Sequence, residues 1–308
     1  MKRLFPGAAA AALLLLPAFL PFEYYVNIST QILIAAIFAL SLNLLVGYAG
    51  LVSLGHAAYL GASAYLTAWL ASRMGFGHLA ASLAAIALTT GLAAVFGALA
   101  LRAEGLGFLM ITLALGQILW GLAYRWVPVT GGDNGLSGLS RPRPLGFDLT
   151  SANAFYLFTL AVFACAFILI ALFVRSPLGA GVRGVRDQPR RMQALGWHVW
   201  GIRFFTFVFA GFWAAVAGVL YVDYNQFISP HVLSLTNSAE VLLMVIAGGA
   251  GTLLGPLAGA AVVIIVKNVA SAYVARWVML LGAVFVLIVV FLPEGLVPGL
   301  RRLARRAA

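Results

Sequence analysis

Uncharged apolar stretches recur along the whole chain and restrict it to very few architectures. Leu79 to Leu101, Leu106 to Tyr124, Ala154 to Val174, Phe204 to Val222 and Ala270 to Leu292 each carry at most one charged residue. Such a run, at about 1.5 Å per residue, crosses a hydrocarbon core about 30 Å thick as an α-helix. In lipid the backbone must satisfy its own hydrogen bonds, which leaves helices or closed barrels. The alternation of a barrel strand is absent. The chain is therefore expected to be an all-α polytopic membrane protein of about 8–10 transmembrane or re-entrant helices, with residues 1–308 as a single domain. Composition agrees: 63% hydrophobic against 9% charged residues cannot clothe a water-soluble surface.

The formal net charge is +11. Its arginines fall in loops and in a terminal cluster, Arg301, Arg302, Arg305 and Arg306, as retention on the cytoplasmic side demands. No soluble stretch is long enough for a nucleic-acid face. The single cysteine, Cys165, lies in an apolar run and offers neither disulfide nor metal site.

Taken in order, Lys2 and Arg3 precede a short apolar run, Ala8 to Leu20, without a small-residue cleavage site; it is read as a retained first helix. Ile28 to Leu70 is two spans long and crowded in the middle with Asn43, Gly47, Gly50, Ser53, Gly55, His56 and Gly61. Glycines at that density serve close helix packing, or a discontinuous helix that lines a pathway. His56 is expected to be a hydrogen-bonded interior group rather than a proton carrier. Gln117 is expected to face protein. Thr130 to Leu139, TGGDNGLSGL, is dense turn chemistry and reads as a structured external loop able to receive a partner.

Asn237 to Lys267 is a second interrupted stretch, with Glu240 near its outer end and Gly248, Gly249, Gly251, Gly255, Pro256 and Gly259 in its middle. It suits one bent span or two half-helices. The terminal arginines favour a segment that dips and returns, which leaves Lys267 and Arg276 external. Glu240 reads either as an acid at a helix N-terminus or as a partner for a substrate ammonium or a neighbouring chain's arginine. Paired interruptions in the two halves point to a transport pathway.

Between spans lies Ser176 to Arg203, the cytoplasmic segment, with Arg183, Arg186, Arg190 and Arg191 against one acid, Asp187. Asp187 is expected to cap a two-turn helix from Gln188 to Leu195, with Pro189 in its first turn and Gly196 as a left-handed stop. Two readings stand: a loop helix that obeys the positive-inside rule, or a docking helix on which a soluble partner pushes.

Several chemistries are missing. The sequence has no glycine-rich phosphate loop ending in Lys-Ser/Thr, and its only lysines are Lys2 and Lys267. It has no HExxH, no Cys/His metal cluster and no GxSxG. The eight acids sit near span ends or in loops, where they are poorly placed to drive proton or sodium coupling. The driving energy is therefore expected to enter from elsewhere, with no cofactor on this chain.

Four stretches together carry a family resemblance: LSLNLLVGYAGLVSLGHAAYLGASAY (Leu40 to Tyr65), TGGDNGLSGL, the basic segment with ALGW before a span, and FISP (Phe227 to Pro230) continuing through EVLLMVIAGGAGTLLGPLAGA. The chain resembles the LivM-type permeases of bacterial branched-chain amino acid ABC importers. The resemblance implies a multi-pass subunit of the inner membrane with the ABC importer permease fold. It implies a LivH-type permease partner, two cytosolic ABC ATPase subunits that use ATP, and a periplasmic substrate-binding protein. It further implies that Arg186, Asp187, Arg190, Arg191, Ala194, Leu195 and Gly196 form the coupling helix. Arg190, Arg191 and Gln193 depart from the acid- and alanine-rich pattern common there. Sister permeases for urea and short amides share similar motifs, so they stand as the alternative solute class. A self-sufficient secondary transporter or channel is the rival mechanism.

Overall fold

The first described helix, α1 (Glu23–Asn43), has no marked polar face, as suits a membrane span or the centre of a helix bundle. Every residue from Ala36 to Asn43 is buried. The structure is a computed structural model that describes residues 23–137 and 149–273, together with 279, 282–283, 286–287, 290–291, 295–299 and 302. The expected first helix, Ala8 to Leu20, the end of the external loop, Arg276 and the terminal arginines apart from Arg302 lie outside the described residues.

The glycines decide how α1 ends. It widens into a π-helical turn, Leu44–Ala49, and stops at Gly50, whose φ of 69° is left-handed. Residues 50–56 follow without helical structure, and α2 (Ala57–Ser72) resumes. The expected discontinuity is therefore real. Its irregular backbone is held against protein, as non-helical backbone at membrane depth must be. A Cβ on Gly55 would stand 2.0 Å from the Thr112 carbonyl oxygen.

Two apolar helices come next, α3 (His78–Ala100) and α4 (Leu106–Arg125). A helical turn at Val127–Thr130 then leads into Gly131, Gly132 and Gly135, all with positive φ. They deliver a short strand, β1 (Leu136–Ser137), which pairs antiparallel with β2 (Phe227–Ile228). The described part of the turn motif and the FISP segment are thus one structure, and that part of the loop is structured as expected.

Helix α5 (Ala152–Arg175) is capped by Ser151 Oγ, which accepts from the Ala154 N–H. The segment from Ser176 to Arg203 then forms two helices, α6 (Pro177–Asp187) and α7 (Pro189–Ala194). Ser176 caps α6 and Pro177 fills its first position. The expectation of one helix capped by Asp187 is corrected here: Asp187 ends α6. Pro189 lacks an N–H and drives Gln188 out of the helical region (φ −148°, ψ 83°), so the chain kinks at Gln188.

Helix α8 (Val199–Asn225) is the second buried column. Gly211 meets Ala93, Gly97 admits the Phe207 ring, and Gly218 lies against Leu60 and Ser63, whose Oγ donates to the Ala215 carbonyl at 2.8 Å. Small residues bring α2, α3 and α8 into close contact, so that a serine on α2 reaches the backbone of α8, as membrane packing favours.

The last described elements are α9 (Leu235–Gly248) and α10 (Gly255–Tyr273), which pack on each other and on α1. Five helices among the described residues are long and apolar enough to cross a membrane. With α2 and the two arms of this hairpin they make eight, in accord with the all-α polytopic fold expected. Exposed Leu83, Val95, Met110, Ile118, Ile168 and Leu172 give α3, α4 and α5 outer faces suited to lipid or to a second membrane subunit.

Candidate functional site

The two interrupted stretches meet. The side chain of Asn43, the last residue of α1, clamps the α9–α10 turn from both sides: Nδ2 donates to the Thr252 carbonyl and Oδ1 accepts from the Gly251 N–H, each at 2.9 Å. Gly47 lies in the same contact, where an added Cβ would come within 2.2 Å of the Gly251 nitrogen. The turn is built from Gly249 (φ 114°) and Gly251 (φ 78°), with Thr252 Oγ1 donating to the Gly249 carbonyl and accepting from the Gly255 N–H. Pro256 occupies the first turn of α10, where its missing N–H leaves no gap.

The hairpin also holds the far side of the break. Ser238 Oγ on α9 accepts from the Ala57 N–H at the start of α2. His56 is fully buried, its Nε2 2.8 Å from Ser41 Oγ and its ring stacked on Phe38. This is the interior histidine expected. His56 Nδ1 and Ser53 Oγ are buried without a hydrogen-bond partner among the described residues.

The hairpin returns on itself. Lys267 Nζ reaches both Glu240 oxygens, at 3.0 and 3.2 Å, although 27 residues separate them. A continuous helix would hold them about 40 Å apart. Glu240 therefore stands in the second turn of α9, bound to α10 within the chain, and no neighbouring arginine is required to explain it. The pair sits at the open end of the hairpin, away from the Asn43 clamp. Near that end a second polar set joins three helices: Gln31 Nε2 donates to Tyr224 Oη at 3.0 Å, and Asn268 Nδ2 to Gln31 Oε1 at 3.3 Å. Reversing Glu240 to Lys is expected to lower the thermal midpoint of the purified chain by about 2–4 °C. Adding Lys267→Glu should restore most of it, as read by fluorescence-detected size-exclusion after heating; equal losses in the single and swapped variants would show the pair to be idle.

The arginine-rich segment lies against the clamp. Arg186 Nη1 donates to the Gly47 carbonyl at 2.7 Å, and its stem covers Gly50. Arg183 Nη1 donates to the Val174 carbonyl in the last turn of α5. Both arginines thus sit on carbonyls at helix C-terminal ends, which lack intrahelical partners and attract cations. The glycine face of α6 receives α7: Gly184 faces Met192 and Gly181 faces Trp197. The end of α7 is a Schellman motif, with Trp197 N–H on the Met192 carbonyl, Gly196 N–H on the Gln193 carbonyl, and Gly196 at φ 85°. The left-handed stop expected at Gly196 is present.

Of the seven residues expected on one docking helix, Arg190, Arg191, Ala194, Leu195 and Gly196 are exposed on α7 or at its end. Arg186 and Asp187 belong to α6, bonded to each other at 2.9 Å. The site thus brings together Asn43, Gly47, Gly50, Gly249, Gly251, Arg186 and Asp187, and leaves Glu240 and His56 apart. Sequence reasoning missed α6, though the Ser176–Pro177 start signal was present. The partnership of Gln31 with Asn268 had no local signal.

The family described as branched-chain amino acid transport system permease component matches residues 24–289. The high-affinity branched-chain amino acid transport system permease protein LivM of Salmonella typhimurium (strain LT2) is 27% identical, over 89% of this chain and 70% of its own. Its Escherichia coli (strain K12) namesake matches to the same extent. A probable LivM permease of Methanocaldococcus jannaschii is 28% identical over 53% of this chain and 52% of its own. No solved structure matches the chain.

Proposed function

Because the chain belongs to the family of branched-chain amino acid transport system permease components, we propose that it forms one wall of a solute pathway whose shape is set from the cytoplasmic side. It is the permease subunit of an ATP-driven importer for leucine, isoleucine and valine, and a multi-pass membrane protein. The proposed partners are a LivH-type permease that completes the pathway, two cytosolic ATPase subunits that bind and hydrolyse ATP, and a periplasmic binding protein that selects the solute. The proposed location is the bacterial inner membrane. The absence of a phosphate loop from the sequence supports placing ATP on the partners and no cofactor on this chain.

One observation carries the mechanism: the two glycine-broken stretches meet at Asn43, Gly47 and Gly251, directly against the cytoplasmic helix α6. Closure of the nucleotide-loaded ATPase dimer pushes on α7 and moves α6. The broken segments then change shape without showing backbone to lipid. The solute pathway itself is weakly binding and mostly apolar, so selectivity rests with the binding protein.

The test is to co-express the chain with candidate second-permease and ATPase subunits, reconstitute the complex and add loaded binding protein. ATP hydrolysis should rise with leucine, isoleucine or valine. A rise with urea or an amide alone would keep the machine and replace the solute. Transport by this chain alone, in vesicles without ATP, would overturn the importer mechanism.

A further inference from the structure

We infer that Arg186 is a transmission pin: it ties the cytoplasmic helices to the pathway-lining turn, and ATPase docking belongs to α7. This deepens the proposed function and rests on it. Arg186 is 41% exposed, yet its Nη1 is directed inward to the Gly47 carbonyl at 2.7 Å and its stem lies over Gly50, where a Cβ would stand 2.6 Å from its Cγ. Its Nε is held by Asp187 Oδ1 at 2.9 Å, which fixes the fork.

From Gly47 the contact continues without a gap. Gly47 touches the Gly251 backbone, and Asn43, one helical turn earlier, bonds Gly251 and Thr252. In the other direction Met192 and Trp197 sit on the Gly184 and Gly181 faces of α6. A push on α7 therefore reaches the hairpin turn through four close contacts: α7 on α6, Arg186 on Gly47, Gly47 on Gly251, and Asn43 on Thr252. The Arg186 and Asn43 contacts are each a single side chain bridging elements far apart in sequence, and Arg186 is the one of the two rooted in α6, so it is the place where α6 and α7 can be uncoupled from the turn without removing a helix. Gly50 must lack a side chain here both for its φ of 69° and for the arginine stem.

The experiment uses the whole importer in lipid vesicles, with solute uptake and ATP hydrolysis measured on the same preparation. Arg186→Gln should retain ATPase subunits in wild-type stoichiometry and hydrolysis within about twofold, while uptake per ATP falls about tenfold, a coupling of ordinary size. Arg186→Lys, which keeps a donor, should recover part of the loss. Parallel loss of hydrolysis and of ATPase subunits would make Arg186 a docking residue, and unchanged uptake per ATP would make the contact idle; either overturns the inference. Should Arg186→Gln fail to assemble, nitroxide labels at A194C and L254C in a C165S background decide. The distance between them should hold within about 2 Å between nucleotide-free and ATP-bound states, while a change near 5 Å, one helical turn, would show α7 moving without the hairpin turn. A wild-type importer that hydrolyses ATP but ignores branched-chain amino acids would defeat the solute assignment and leave the label result to judge the pin.

Discussion

Gly259→Val is expected to prevent the hairpin from closing and to abolish a stable fold. A Cβ at Gly259 would lie 1.8 Å from the Met244 carbonyl oxygen and 3.1 Å from the Gly248 nitrogen. Gly248 is equally confined: a Cβ there would stand 1.9 Å from the Gly255 carbonyl oxygen. The obstructing atoms are backbone, so no rotamer change relieves them. Overpacking against side chains costs about 1–3 kcal/mol, and backbone that cannot yield costs more. Separated arms would also lose the Glu240–Lys267 pair and draw Gly251 from Asn43. Monodisperse protein recovered from membranes should fall about tenfold, in line with a loss above 1.4 kcal/mol. Gly91→Ala is the control: Gly91 has open space around it on α3, and alanine there should be neutral or stabilising by about 0.5–1 kcal/mol. Equal yields from the two variants would dismiss the packing argument.

Much of this architecture is legible in the sequence because lipid removes choices. Apolar runs must be helices, so the long spans follow from length alone. The breaks at Gly50 and Gly249 follow from glycine density, and the return of the second follows from arginine placement. Gly295 fits that return, since it abuts Gly249 at the hairpin turn, on the side where α6 lies. What the sequence withholds is pairing. Nothing local says that Asn43 reaches Thr252, 209 residues on, or that Glu240 belongs to Lys267 rather than to a substrate. The charged segment misleads for a related reason. Arginines counted along the chain look uniformly cytosolic, yet Arg183 and Arg186 satisfy carbonyls at the ends of α5 and α1. An amphipathic helix as short as α6 divides its charges between solvent and neighbouring helix ends, and only the packing says which.

Leu195→Asp is expected to release the ATPase subunits. Leu195 stands 67% exposed at the end of α7, a helix without a single buried residue. An apolar side chain held outward by a rigid Schellman turn, beside Arg190 and Arg191, has the form of an interface anchor with a charged rim. Burying a leucine contributes about 1.5–3 kcal/mol, and a carboxylate in the same apolar pocket adds a desolvation cost. Together these predict a fall in ATPase affinity of about 100-fold or more. Leu195→Ala should lose about tenfold. The chain itself should fold normally in both variants, because Leu195 is mostly exposed. The contrast with Arg186→Gln separates the two roles proposed for the segment: one variant should remove the ATPase, and the other should leave it bound but poorly coupled to uptake. Capture of ATPase subunits by Leu195→Asp at wild-type stoichiometry would move the docking surface off α7. The push would then have to enter through the exposed parts of α6 itself.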